Sequence, residues 1–454
     1  MNASAAEITV TPQAPPVTLE QIINERPLSS LQIRVIALCS LVVFIDGYDL
    51  QAMALAVPSL SELWGIAPSS FGWPLAASMV GLALGSIFLA PLGDRWGRKP
   101  VVIGGLLLMG ASSLAVMLST EPAHLVFWRG WVGIGLGVCH GNATALTSEY
   151  APLRRRAMLM TLMGCNVAFG ALVAGLIAPW LIEHYGWQGV FIVGGTLPIM
   201  LALVLMFAVP ESLQLLFARQ PSGPRLIAIL KRMAPDVDPQ KLIATVARSA
   251  PINSVFALIR PPLRERTLRL WLIYGFNAFL VYLLVSWLPV FLKGAGWSSA
   301  DALRGILMLQ LGGIAGALLL SWLVDRGHTI AALIVAYLIS AVTALLFVVL
   351  PPMGSLWPIL IIVLGGGLSG AMFALTAIGA IFYPPTIRAT GFSWTAAVAR
   401  IGAVLGPLTG GWVLAAGVAS TKIIALLAIP AVLSAVIALS LRDVLRRAQR
   451  EEVG

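Results

Sequence analysis

Ala90-Pro-Leu-Gly-Asp-Arg-Trp-Gly-Arg-Lys-Pro100 runs directly into Val101–Ser119, a stretch without one charged residue. At about 1.5 Å of rise per residue, a helix over that stretch covers close to the ~30 Å of a bilayer's hydrocarbon. A tight cluster of Arg and Lys at one end of such a run fixes that end at the cytoplasmic surface. The same alternation continues in both directions along the chain. Apolar spans fall at 33–56, 73–91, 101–119, 124–146, 157–182, 188–209, 269–292, 303–324, 330–350, 357–379, 391–415 and 422–441. The whole chain is 59% hydrophobic and 11% charged. A soluble domain carries about 25% charged residues, so most of this surface is built to face lipid. Backbone groups in lipid are satisfied only within helices or closed barrels, and runs this long predict helices. The expectation is an all-α integral membrane protein with 12 transmembrane helices.

The formal net charge of +10 suggests nucleic acid until the charges are sorted by side. With twelve crossings, 24 of the Lys and Arg residues fall on one face, three on the other (Lys293, Arg304 and Lys422), and Arg129 and Arg400 lie within spans. That asymmetry places both termini and the long central loop in the cytoplasm and excludes a nucleic-acid footprint. The N-terminal segment is polar, with Glu7, Glu20 and Glu25, and lacks the basic start and short apolar core of a cleavable signal. Cys39, Cys139 and Cys165 all fall in spans, where they read as small packing residues rather than metal ligands or a disulfide. No cofactor or metal is expected.

Residues 210–268 form the one long polar interruption and divide the spans six and six. The expected parts are an N-terminal tail (1–32), a six-helix bundle (33–209), a cytoplasmic linker (210–268), a second bundle (269–441) and a tail (442–454). The bundles also match in sequence. Leu92-Gly-Asp-Arg95 answers Leu323-Val-Asp-Arg326 at an offset of 231, and Gly170 and Trp180 answer Gly402 and Trp412 at 232. Two repeats related about the membrane normal are a known transporter plan, with substrate held between them near the midplane.

The loop 90–100 resembles the signature loop between helices 2 and 3 of the major facilitator superfamily. Asp94 bridges to nearby basic groups and helix ends, Gly97 allows the tight turn, and Arg95 and Arg98 supply charge. Such a cluster latches the two halves in the outward-open state. Ala90 stands where the family has its first glycine. The copy at Asp325-Arg326 is eroded, because Gly327-His328 follows it without the later basic pair.

Ionisable residues at membrane depth are costly and mark function. Asp46 lies about 20 Å along helix 1 from Ile33, near the midplane, and Asp49 sits on the same face three residues later. Two carboxylates so placed cannot both ionise cheaply, which suits proton coupling. The alternative is an ion pair of one Asp with Arg129 that holds helices 1 and 4 together. Arg129 and Arg400 each offer a planar fork that fits a carboxylate. Only Arg400 lacks an embedded acid in its own half, so it is the better ligand for an anionic substrate. With one Asp protonated, the embedded charges sum to +1, which suits a monoanion. His140, Asn142, Asn166, Tyr274, Asn277 and Trp394 complete a candidate cavity able to hold a ring.

Asp46-Gly-Tyr-Asp49 resembles the D-G-F-D signature of the aromatic acid:proton symporter family, with Tyr48 in place of Phe. Thr147-Ser-Glu149-Tyr, Arg388-Ala-Thr-Gly391 and Arg400 agree with it, over essentially the whole membrane region. The resemblance implies a bacterial inner-membrane symporter, acting as a single chain, that imports benzoate-like or phenylpropanoid anions with protons. It implies roles for Asp46, Asp49, Asp94, Arg129, Glu149, Asp325, Arg388 and Arg400. Two other readings stay open. Val209-Pro-Glu-Ser212 is similar to sugar porters, so a carrier of a sugar or a non-aromatic acid is one. A transporter-like sensor is the other. No phosphate loop, metal cluster or nucleophile–base pair points to an enzyme.

Overall fold

The computed structural model describes residues 23–24, 26–220, 223–233, 258–261, 263–352, 355–383 and 388–453. Most of the expected N-terminal tail and residues 234–257 of the expected linker lie outside the described residues, as do the side chains of Asp325 and Arg388. The described residues are helical throughout and contain no strand. The long helices are α1 (Ser30–Trp64), α2 (Pro68–Leu89), α3 (Arg98–Leu118), α4 (Pro122–Tyr150), α5 (Leu153–Tyr185), α6 (Gln188–Ala208), α7 (Arg264–Gly294), α8 (Ser299–Asp325), α9 (Thr329–Val349), α10 (Trp357–Phe382), α11 (Arg388–Ala415) and α12 (Ser420–Leu441). Ten of them are long and apolar enough to cross a membrane. The other two are α4, which carries Arg129, His140 and Glu149, and α10, of which Trp357–Met372 is a shorter apolar segment.

Several helices outrun the spans that hydropathy marks, because polar ends are held by caps rather than by lipid. In α1, Ser29 and Gln32 form a reciprocal capping box, and the helix continues to Trp64 before Gly65 turns it off in the left-handed region at φ 63°. Between α2 and α3 the loop folds into a short helix, Leu92–Trp96. Two further short helices, Leu213–Arg219 and Pro224–Met233, follow α6. The second buries Leu226, Ile229, Leu230 and Met233 and leaves its basic face outward.

Packing repeats itself six helices on. α1 packs against α5, α2 against α4 and α3 against α6; α7 packs against α11, α8 against α10 and α9 against α12. Glycines at matching positions make the same approaches. A Cβ at Gly81 would overlap the Gly130 carbonyl, and one at Gly312 would overlap the Ile362 carbonyl. Likewise Gly170 lies on the Phe44 carbonyl and Gly402 on the Gly275 carbonyl. Each residue of the second pair is the first shifted by 231 or 232, the offset of the sequence repeat. Without a hydrophobic drive between helices in lipid, backbones are held this close by van der Waals contact, which only small residues permit.

The two sets of six touch through α1–α7, α2–α11 and α5–α8. These contacts gather at the end remote from the 90–100 loop. A Cβ on Gly72, at the start of α2, would lie 3.5 Å from Gly411 near the end of α11. A Cβ on Gly175 in α5 would lie 3.2 Å from the Leu307 nitrogen of α8. Lys293 at the end of α7 pairs with Glu62 at the end of α1. Those two residues are themselves 231 apart.

Candidate functional site

Charge at the centre of α1 divides into two units. Asp49 is fully buried and pairs with Arg129 of α4, itself 1% exposed, at 2.7 Å. Arg129 also donates to the Asp49 backbone oxygen at 3.3 Å and to the Ser78 hydroxyl of α2 at 3.0 Å. This is the ion pair that the sequence left as the alternative for Arg129, and it ties three helices. In this conformation the guanidinium does not reach open space, so Arg129 is not placed as a substrate ligand. Asp46 faces elsewhere: its Oδ2 lies 2.8 Å from His140 Nδ1 of α4. The two carboxylates, three residues apart on α1, thus take separate partners from α4.

His140 is the open member of its pair, with 42% of its side chain exposed against 7% for Asp46. Arg400 of α11 and the Tyr282 hydroxyl of α7 lie close enough to act electrostatically on this pair. Residues of both sets of six therefore converge here. Arg400 is half-buried and Asn166 of α5 is half-exposed, its amide bonded to the Leu162 carbonyl of its own helix at 3.0 Å. Trp394 is exposed and stacks on Trp271, with ring centroids 6.2 Å apart.

Three residues expected in the cavity instead join helices. Asn142 is buried and donates to the Ala90 carbonyl at 3.1 Å and to Val138 of its own helix at 2.9 Å. A Cβ on Gly93 would overlap its amide oxygen. Asn277 donates to the Leu368 carbonyl at 3.1 Å, and the Tyr274 hydroxyl donates to Leu375, so both fasten α7 to α10. A buried amide or hydroxyl in lipid needs a partner, and a neighbouring helix's carbonyl supplies it.

At the loop end, Arg98 pairs with the buried Glu149 of α4 at 2.6 Å, and Glu149 accepts from the Ser212 hydroxyl at 2.6 Å. Asp94 is 75% exposed and, among the described residues, pairs with Arg98 at 3.6 Å. Among the described residues, Asp94 therefore makes no ion pair across to the second set of helices in this conformation. The Arg95 carbonyl accepts from Arg219, and the Arg326 guanidinium lies 3.8 Å over the Trp322 ring. Arg388 lies at the first residue of α11.

The organising residue of this cluster, Glu211, escaped the sequence reading. Its Oε1 accepts from the backbone nitrogens of Arg98 at 2.8 Å, Lys99 at 3.1 Å and Ser212 at 2.8 Å. The signal was present: α3 starts after Gly97, which has no side chain to cap it, and its first turn is basic. An acid from elsewhere in the chain must then satisfy the exposed amides. Val209-Pro-Glu-Ser212, read only as a likeness to sugar porters, is where that acid comes from.

Comparison with known proteins agrees with this architecture. The family model of the Major Facilitator Superfamily matches residues 39–407. The chain is 36% identical to the 4-hydroxybenzoate transporter PcaK of Pseudomonas putida, over 92% of this chain and 94% of that one. It is 34% identical to the 3-(3-hydroxy-phenyl)propionate transporter of Escherichia coli strain K12, over 87% and 91%. Among solved structures, a D-xylose-proton symporter superposes with a TM-score of 0.69 at 16% identity, covering 90% of this chain and 97% of that one. The chain belongs to the Major Facilitator Superfamily and is a transport protein rather than an enzyme. The resemblance drawn from Asp46-Gly-Tyr-Asp49 is borne out by these relatives.

Proposed function

We propose that this protein is a multi-pass carrier of the bacterial cytoplasmic membrane that imports aromatic carboxylate anions together with protons. The observation that carries the reading is Arg400, a cation on α11 within electrostatic reach of the Asp46–His140 pair of the other six helices. A guanidinium matches the fork of a carboxylate, and the acids of α1 offer sites for the accompanying proton. Half-exposed Asn166 supplies a polar group within α5, and the Trp394–Trp271 stack an aromatic face. Relatives named for 4-hydroxybenzoate and hydroxyphenylpropionate support an aromatic ring on the substrate.

Residues 33–209 and 269–441 act as two halves that rock about the central site, joined by the linker 210–268. The charge asymmetry puts that linker and both termini in the cytoplasm. With the halves in contact at the opposite end, the described conformation is open toward the cytoplasm. The Asp94 cluster, with Arg95, Gly97, Arg98, Glu149, Asp325, Arg326 and Arg388, then closes that side in the outward-open state. One chain suffices as the working unit, because the site lies between its own halves.

Reconstitution into vesicles with an inward proton gradient, followed by uptake of labelled 4-hydroxybenzoate and a panel of other acids, tests this directly. Gradient-dependent accumulation of at least one aromatic acid is expected, with KM raised by Arg400→Gln. No gradient-dependent uptake of any aromatic acid would overturn the reading.

A further inference from the structure

Asp46 is buried, with 5% of its surface exposed. Val42 of its own helix, Leu106 and Met109 of α3, and Leu136 and Cys139 of α4 line a crevice beside it with no room for a water molecule. The carboxylate's Oδ1 has no partner in that crevice, and its Oδ2 is held by the imidazole. The imidazole in turn is the part of the pair that is open. The groups that act on the pair are Asp49 behind it on α1, Cys139 on α4, Tyr282 on α7 and Arg400 on α11, while α3 contributes only apolar side chains. Asp49 is committed to Arg129 and has no exposed surface.

From this arrangement we infer that His140 is the port through which protons reach Asp46, and that Asp46–His140, rather than Asp49, is the unit that exchanges the coupled proton. This rests on the proton-symport reading above. An imidazole has one nitrogen for Asp46 and a second for water, so it takes a proton on one side and passes one on the other. No bond other than N–H and O–H changes. The pair carries one exchangeable proton between its carboxylate and its imidazole, and Arg400, within electrostatic reach, opposes a second positive charge there until a substrate anion is also present. Proton and anion then enter together, which is the requirement for coupling. Asp49–Arg129 is left as a fixed support beneath the pair.

The test uses the full chain in vesicles, with His140→Gln and His140→Asn beside wild type. For one proton per substrate, a gradient of one pH unit supports about tenfold accumulation of the transported acid. Wild type should approach that ratio, whereas both variants should fall to about one while still exchanging labelled for unlabelled substrate across the membrane. Gradient-driven accumulation in either variant equal to wild type would overturn the inference and leave symport intact. A wild type that ignores the gradient would instead overturn the symport reading itself. If both variants lose exchange as well, diethyl pyrocarbonate treatment of a chain with His124, His184 and His328 replaced by Gln decides the matter. Modification of the remaining His140 that abolishes accumulation but spares exchange supports the port, and loss of both rejects it.

Discussion

Arg129→Met separates two roles that a membrane arginine can have. In the structure its guanidinium sits 2.7 Å from the Asp49 carboxylate, with both side chains removed from solvent. At an effective dielectric of about 20, that separation corresponds to an attraction of about 6 kcal/mol. The substitution removes the attraction and two further hydrogen bonds, to the Asp49 backbone and to Ser78, while the cost of burying Asp49 remains. Breaking one side of a buried pair typically destabilises by about 3–5 kcal/mol. Proton uptake by the stranded carboxyl limits the loss, since neutralising an ordinary aspartate at pH 7 costs about 4 kcal/mol. The expected destabilisation is therefore about 3–4 kcal/mol. Adding Asp49→Asn to Arg129→Met should recover about half of it, because the stranded charge is gone but the amide still lacks a partner. Titration with sodium dodecyl sulfate in mixed micelles, followed by tryptophan fluorescence, measures both. If Arg129→Met unfolds at the wild-type midpoint and changes only the KM for transport, Arg129 is a substrate ligand and the support role is wrong.

Three other outcomes follow from the geometry. Gly97→Ala places a side chain at φ 120°, where its Cβ also overlaps the Glu211 carboxylate; a loss of about 1–3 kcal/mol is expected in the same titration, against no loss for Gly104→Ala, whose Cβ meets nothing. Gly170→Ala and Gly402→Ala should lower the midpoint by similar amounts, since each drives a Cβ into a backbone carbonyl at equivalent positions; a neutral result at either one would contradict the repeated packing. Glu62→Lys sets a like charge against Lys293, and with Glu62 66% exposed the effect is about 0.2–1 kcal/mol. That corresponds to a rise of up to about fivefold in the labelling rate of a cysteine placed at Ser69 in a background without Cys39, Cys139 and Cys165, and the swap Glu62→Lys with Lys293→Glu should restore the original rate.

The helices were legible because lipid imposes one rule along the whole chain, and a run such as Val101–Ser119 has no other stable use. Their exact ends were less so: Trp64 and Tyr185 close helices that extend past the apolar stretch, and caps set those ends. The embedded charges Asp46, Asp49, Arg129 and Arg400 stood out in sequence because charge at that depth is costly. Their partners did not. Sequence spacing puts Asp46 and Asp49 on one face of α1, but only the crossing of α4 assigns His140 to one and Arg129 to the other. Polar residues such as Asn142, Tyr274 and Asn277 were ambiguous for a physical reason. A ligand contact and a bond to a neighbour's carbonyl call for the same donor, and the choice depends on which helix lies opposite.

Glu62 and Lys293 occupy the same place in the two repeats, and they meet. Positions related by a two-fold axis touch one another only on the axis, so this pair marks where the axis leaves the protein. Pro58 and Pro289, also 231 apart, lie inside the two helices one turn before it. Two identical residues facing each other across the axis cannot form an ion pair, because both carry the same charge or none. The pair of opposite sign is a contact that perfectly symmetric repeats could not make. The two halves are thus clasped on their shared axis by the one kind of contact that requires them to differ.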